Sequence, residues 1–142
     1  MKKTILFSLI MVLIIGSCTQ EKKTPVEGAW KLVYGKWASI DQTFPAKIKG
    51  SAIKFWSKEN FAFDGQFKLD TMVMDNYGWG TYILDGTKYT EQVILHADKV
   101  TTGKSVKLIL EIKNDTLTLS YPADDNWKLA GKYSVEKYTR LK

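Results

Sequence analysis

Hydrophobic and polar positions alternate along most of the chain beyond residue 25, which is the pattern of half-buried strands. No stretch of this part repeats apolar residues at helical spacing. Turn-forming residues separate the alternating segments, and the pairs Asp85-Gly86 and Asn114-Asp115 are the strongest hairpin signals. Eight strands are predicted, over residues 26–37, 46–57, 60–69, 77–84, 88–97, 104–113, 116–121 and 131–142.

Strands with one apolar and one polar face form antiparallel sheets that bury a single side. A meander of such strands removes its exposed edges most completely by closing on itself. The sequence therefore predicts an all-β fold, a single antiparallel up-and-down β-barrel of about eight strands, with a two-sheet sandwich as the alternative. Polar residues such as Lys107, Glu111 and Thr118 occupy the faces opposite the predicted core, which argues against a membrane-spanning barrel.

The beginning of the chain has a different pattern. Two lysines precede an apolar run over residues 5–15, and the only cysteine, Cys18, follows that run after two small residues. This layout is typical of a secretory signal peptide, and the run is shorter than the ~20 residues that a membrane span needs. We therefore predict a signal peptide at residues 1–17, a linker at 18–25 and one barrel domain at 26–142.

Cys18 is preceded by Ile15, Gly16 and Ser17, and these four residues resemble the lipobox of bacterial lipoproteins. In that family the cysteine is lipidated and becomes the first residue of the mature protein. A single cysteine cannot form an internal disulfide, which favours this interpretation over a secreted protein with a chance cysteine. The resemblance implies a protein anchored by its lipid in the bacterial cell envelope, on the periplasmic or outer-membrane side.

The net charge of the chain is +6, from 21 lysines and arginines against 15 aspartates and glutamates. Lys22 and Lys23 follow the predicted anchor, where they can contact anionic headgroups. The other basic residues are spread along the predicted strands, so we expect no nucleic-acid partner.

The first and last strands of the predicted barrel resemble those of lipocalins. Gly28-Ala29-Trp30 resembles the Gly-x-Trp signature of their first strand, and Arg140 resembles the arginine that crosses over that tryptophan. The resemblance implies that these residues close one end of a barrel. More narrowly, the chain is similar to small bacterial lipoproteins with a lipocalin-like (calycin) domain, in which the following motifs recur: Gly80-Thr81-Tyr82, Asp85-Gly86, Tyr89-Thr90-Glu91 and Tyr138-Thr139-Arg140.

Candidates for catalysis are few. His96 is the only histidine, and the only cysteine is assigned to lipid, which excludes a Cys–His nucleophile pair and a histidine- or cysteine-rich metal site. We expect His96 to lie on the surface. The sequence predicts no enzyme activity, no cofactor and no metal.

Glu91 is the most informative acidic residue, because alternation with Tyr89, Val93 and Leu95 points it into the barrel. A carboxylate there needs a hydrogen-bonded or cationic partner, or else it protonates. We predict that the barrel binds a small apolar or amphipathic molecule, since ligand cavities are lined by aromatic and apolar groups with few polar ones. The predicted ligand-binding residues are Trp56, Phe63, Trp79, Tyr82, Tyr89 and Glu91, and the glycines at 65, 78 and 80 favour an open interior.

The main alternative is an interaction module. In that interpretation side chains fill the barrel, Glu91 belongs to an internal polar network, and the loops at 70–76 and 122–129 contact a protein of the envelope. Met72, Met74 and Trp127 would be the exposed contact residues.

Overall fold

The computed structural model describes residues 23–142, which form nine strands. Within this range, no helix is long and apolar enough to cross a membrane. The predicted signal peptide and Cys18 lie outside the described residues. The strands are β1 (Gly28–Lys36), β2 (Thr43–Phe44), β3 (Lys49–Trp56), β4 (Asn60–Leu69), β5 (Met72–Asp85), β6 (Lys88–His96), β7 (Ser105–Lys113), β8 (Thr116–Ala123) and β9 (Leu129–Arg140).

Eight of these strands form a closed antiparallel barrel. β1 pairs with β3, each later strand pairs with the next in chain order, and β9 returns to pair with β1. The two-residue β2 pairs with the end of β1 alone, where Phe44 lies opposite Gly35. The prediction of an up-and-down barrel is thus confirmed, and the sandwich alternative is wrong. The architecture is consistent with a lipocalin-like barrel.

The β4–β5 hairpin differs from the sequence prediction. β5 begins at Met72, so the predicted loop over 70–76 is only a tight turn, and Asp70 there has a φ of 54°. Residues such as Asp75 have low strand propensity, which led to the wrong prediction. In the sheet, the Asp75 carboxylate accepts a hydrogen bond of 2.8 Å from the side-chain amide of Gln66, its cross-strand partner.

Both predicted tight hairpins are present. Asn114 and Asp115 have φ values of 49° and 59°, which is the conformation that a type I′ turn requires. In the other hairpin Asp85 pairs with Lys88, so the two central residues are Gly86 and Thr87, one position later than predicted.

The barrel is sealed at the end where β1 begins and β9 ends. Trp30 is 1% exposed, and its indole N–H donates to the Val26 carbonyl at 2.7 Å. The guanidinium of Arg140 lies 4.1 Å from the centre of the Trp30 ring and donates to the carbonyls of Glu27 and Pro25 at 2.6 and 2.8 Å. Gly28 has a φ of 122°, and a Cβ there would lie 2.9 Å from the guanidinium. A glycine is therefore needed beneath the arginine.

Candidate binding cavity

The opposite end of the barrel contains a cavity of about 760 Å³. Its lining comes from strands β3 to β9 and from the β1–β2 and β6–β7 loops. This volume lies within the ~300–1,000 Å³ of typical small-molecule sites. The interior is consequently filled at one end and open at the other.

A buried ion pair forms the floor of the cavity. The Lys54 ammonium lies 2.5 Å from a carboxylate oxygen of Glu91, and the two side chains are 6% and 8% exposed. The same ammonium lies 5.3, 4.9 and 5.4 Å from the ring centres of Trp56, Phe61 and Phe63, respectively. Its charge is thus balanced by one carboxylate and several aromatic faces, which is what a desolvated cation requires.

An aromatic layer separates this floor from the sealed end. The Trp56 indole donates to the Tyr89 hydroxyl at 2.7 Å, and the Tyr82 and Tyr89 ring centres lie 5.5 Å apart. Trp56 also meets Trp30 edge-to-face at 6.5 Å. Burial raises the pKa of Tyr89 well above its usual value, and the charge on Glu91 raises it further. The Tyr89 hydroxyl therefore stays protonated.

A second carboxylate, Glu136, lies in the wall contributed by β9. One of its oxygens accepts hydrogen bonds from the Trp37 indole at 2.8 Å and the Tyr121 hydroxyl at 2.9 Å, and the other accepts from the Tyr138 hydroxyl at 2.7 Å. Burial raises the pKa of Tyr121 and Tyr138 well above their usual values, and the negative charge of Glu136 adds to this effect. Three neutral donors thus converge on one carboxylate.

His96 lines the cavity, so the prediction that it lies on the surface is wrong. Its ring centre is 5.4 Å from that of Phe63, and its Nδ1 accepts a hydrogen bond of 2.8 Å from the Asp98 backbone N–H. Burial lowers the pKa of His96, and the nearby Asp98 carboxylate opposes the change. The neutral imidazole is therefore favoured at pH 7, in agreement with an accepting Nδ1.

A β-bulge in β6 explains the position of His96. Trp79 pairs with Leu95, but the next residue of β5, Gly80, pairs with Val93, which leaves Ile94 as an extra residue. An extra residue reverses the alternation beyond it. Leu95, predicted to face inward, is consequently 45% exposed, and His96 faces the cavity.

The six predicted binding residues lie in three places. Phe63 and Glu91 line the cavity. Trp56, Tyr82 and Tyr89 are buried beneath its floor, in the aromatic layer. Trp79 does not face the cavity: it is 44% exposed on the outer face, because regular alternation along β5 turns Gly78, Gly80 and Tyr82 inward and Trp79 outward.

The glycines do not open the interior as the sequence suggested. A Cβ at Gly78 would lie 2.6 Å from the Phe63 ring, and one at Gly80 would lie 2.1 Å from the Gln92 carbonyl oxygen. These positions allow strands and rings to approach closely. The space in the barrel is instead left at the mouth.

Sequence reasoning missed two residues of the site, Lys54 and Glu136. Each alternates with residues that face inward: Lys54 with Ala52 and Trp56, and Glu136 with Ser134 and Tyr138. The sequence did contain a signal for their inward position: each lies two residues from buried neighbours on both sides.

Two of the three residues proposed for partner contact are less accessible than expected. Met74 packs against the core and lines the cavity, and the Trp127 ring is half-buried beneath the ammonium groups of Lys88 and Lys107 at 5.8 and 5.6 Å. Met72 is 52% exposed.

Comparison with known proteins adds no functional assignment. No family model matches the chain, and no curated protein matches it at a significant level. Among residues 23–142 there is also no cluster of three or more side chains suited to hold a metal ion.

Proposed function

We propose that the chain is a lipoprotein of the bacterial cell envelope whose barrel binds a small apolar or amphipathic molecule without catalysis. The cavity carries this proposal. Its lining combines apolar and aromatic side chains, including Phe63, Phe67 and Val106, with charged and polar groups such as Lys54, Glu91 and Glu136. Apolar walls hold a small molecule by burial, and polar groups orient it by hydrogen bonds.

The position of the residues nearest the predicted anchor fits this function. The Thr24 hydroxyl lies 3.0 Å from that of Tyr82, and the Pro25 carbonyl accepts from Arg140, so both residues contact the sealed end. A lipid attached at Cys18 would therefore tether the barrel from the side opposite the mouth. The cavity would then open away from the membrane, where a ligand can enter.

Filling the cavity tests the binding function. We expect Val106→Trp, in which the indole extends into the cavity, to reduce binding of the neutral amphiphilic dye N-phenyl-1-naphthylamine at least about tenfold, because burial of the dye supplies most of its affinity. The matched control is Val73→Trp, which adds the same side chain at a position 56% exposed on the outer face. Dye fluorescence titration gives both dissociation constants. Native mass spectrometry of the purified protein then searches for a co-purified ligand.

If Val106→Trp has the melting temperature of the wild type and binds the dye with unchanged affinity, the dye does not bind in the cavity. Equal loss in both variants would also contradict the proposal. Absence of saturable dye binding in the wild type would favour the interaction module instead.

The anchor is tested separately at Cys18. We expect Cys18→Ala to move the protein from the membrane fraction to the soluble fraction, because each buried CH₂ of an acyl chain contributes about 0.8 kcal/mol to anchoring. Ser17→Ala is the matched control, since it makes the same kind of change one residue earlier and keeps the thiol. Fractionation after a high-salt wash and the intact mass of the mature protein are the measurements. An unmodified wild-type mass would contradict lipidation.

A further inference from the structure

The wall around Glu136 indicates which ligand chemistry the cavity prefers. We propose that the ligand carries a protonated amine, which Glu136 binds, and an apolar portion that occupies the rest of the cavity. This inference rests on the proposed function and names the class of ligand.

Glu136 has the capacity to accept another hydrogen bond. A carboxylate offers about four lone-pair sites, and Trp37, Tyr121 and Tyr138 occupy three of them, two on one oxygen and one on the other. All three donors are neutral, and no lysine or arginine of residues 23–142 forms an ion pair with Glu136. Its negative charge is therefore held in place without a counter-charge, next to open space.

The surroundings of Glu136 suit an organic cation. Trp37, Tyr121 and Tyr138 all line the cavity, so the carboxylate that they fix in position is flanked by aromatic rings. Ammonium groups are attracted both to carboxylates and to ring faces. Glu136 and the rings around it thus offer an ammonium partners in place of the water that it loses on entering the cavity.

The protein already uses this combination for a cation of its own. Lys54 places its ammonium against Glu91 and the rings of Trp56, Phe61 and Phe63. Within the same cavity, the carboxylate of Glu136 is also surrounded by aromatic residues, but no ammonium of residues 23–142 pairs with it. The amine of a ligand would take the place beside Glu136 that the Lys54 ammonium has beside Glu91.

The charged residues that line the cavity also favour a cationic ligand. Four carboxylates (Asp75, Glu91, Asp98 and Glu136) face two lysines (Lys54 and Lys104), which leaves a net charge of −2 with His96 neutral. The whole chain carries +6, so this local excess of acid is opposite in sign to the protein. A cationic ligand is attracted to such a cavity, and an anionic one is repelled.

In the floor of the cavity an anionic ligand could pair only with Lys54, since Lys104, the other lysine of the lining, is exposed in the β6–β7 loop. That ammonium is engaged by Glu91 at 2.5 Å and enclosed by three rings. Binding a ligand carboxylate there would separate a buried ion pair and leave Glu91 without its cation, which is costly. The geometry thus disfavours fatty-acid-like ligands.

Three probes of equal chain length test the preference in the wild-type protein: decylamine, decanol and decanoate, each below its micelle concentration at pH 7. All three displace the dye if the cavity binds amphiphiles. We expect the dissociation constant of decylamine to be at least about tenfold below those of decanol and decanoate, since a charge-assisted hydrogen bond favours the amine.

The variant Glu136→Gln tests the residue itself. It keeps the shape and removes the charge, so we expect decylamine to bind about tenfold more weakly while decanol changes less than about twofold. The control is Glu111→Gln, the same substitution at an exposed position of β7, which should leave all three constants unchanged.

Each outcome has a definite meaning. Equal or tighter binding of decanol or decanoate in the wild type would overturn the amine preference and leave the binding function intact. Unchanged decylamine affinity in a folded Glu136→Gln protein would overturn the role of Glu136. Failure of every probe and of the dye would contradict the proposed function as well. If Glu136→Gln does not fold, the wild-type series decides the preference alone.

Discussion

Replacing Lys54 with methionine is expected to lower the free energy of unfolding by about 3–5 kcal/mol, because Glu91 would remain buried without its cation. Methionine fills a similar volume, so the change removes charge rather than packing. Domains of this kind are stable by only about 5–15 kcal/mol, and the loss would consume a large part of that margin. Urea unfolding followed by tryptophan fluorescence measures it.

The double variant Lys54→Met/Glu91→Leu is the decisive control. Replacing both members of a buried pair by apolar residues is commonly neutral or stabilising, so we expect it to regain most of the lost stability. Lys132→Met supplies the exposed comparison: its ammonium lies 3.7 Å from Asp41, with side chains 70% and 90% exposed, and it should cost less than about 1 kcal/mol. A double variant as unstable as Lys54→Met alone would show that the pair does not account for the loss.

Alternation was sufficient to predict the barrel, because in several strands polar residues of the outer face alternate with buried apolar ones. β8 illustrates this: Leu117 and Leu119 are fully buried, and Thr116 and Thr118, which alternate with them, face outward. The short β2 could not be predicted from alternation, because two residues show no periodicity. It is held instead by the register that places Phe44 beside Gly35.

The pattern failed where both faces of a strand are apolar. Ile53 and Phe55 flank Lys54, and Phe55 is 45% exposed on the outside while the lysine is buried. A charged residue between two large apolar ones is normally assigned to the outer face. The need for a partner for Glu91 could be derived from its buried position, but the identity of that partner required the β3–β6 geometry.

The bulge in β6 accounts for two residues assigned to the wrong face, Leu95 and His96. Val93, Ile94 and Leu95 are all apolar, so one extra residue among them leaves no trace in the alternation. Its effect is to turn Leu95 outward and His96 inward. A single irregularity of register therefore changed which side chains at the end of β6 face the cavity.

Substituting Trp30 with alanine is expected to cost about 3–5 kcal/mol of unfolding free energy, as for other large aromatic residues removed from a core. The indole contacts Trp56 edge-to-face, donates to the Val26 carbonyl and supports the Arg140 guanidinium. Its loss would leave a void at the sealed end and remove the cation–π contact at the same time. Chemical unfolding of the purified protein gives the value.

Trp79→Ala is the matched control, because it removes the same side chain from a position that is 44% exposed on the outer face. Nearly half of its surface remains in water after folding, so we expect a cost clearly smaller than that of Trp30→Ala. Arg140→Lys keeps the charge but loses the planar fork that reaches two carbonyls, and it should fall between the two tryptophan variants. Equal costs for Trp30→Ala and Trp79→Ala would mean that the sealed end contributes no more to stability than an exposed ring, and that burial of the indole under Arg140 does not hold this end of the barrel together.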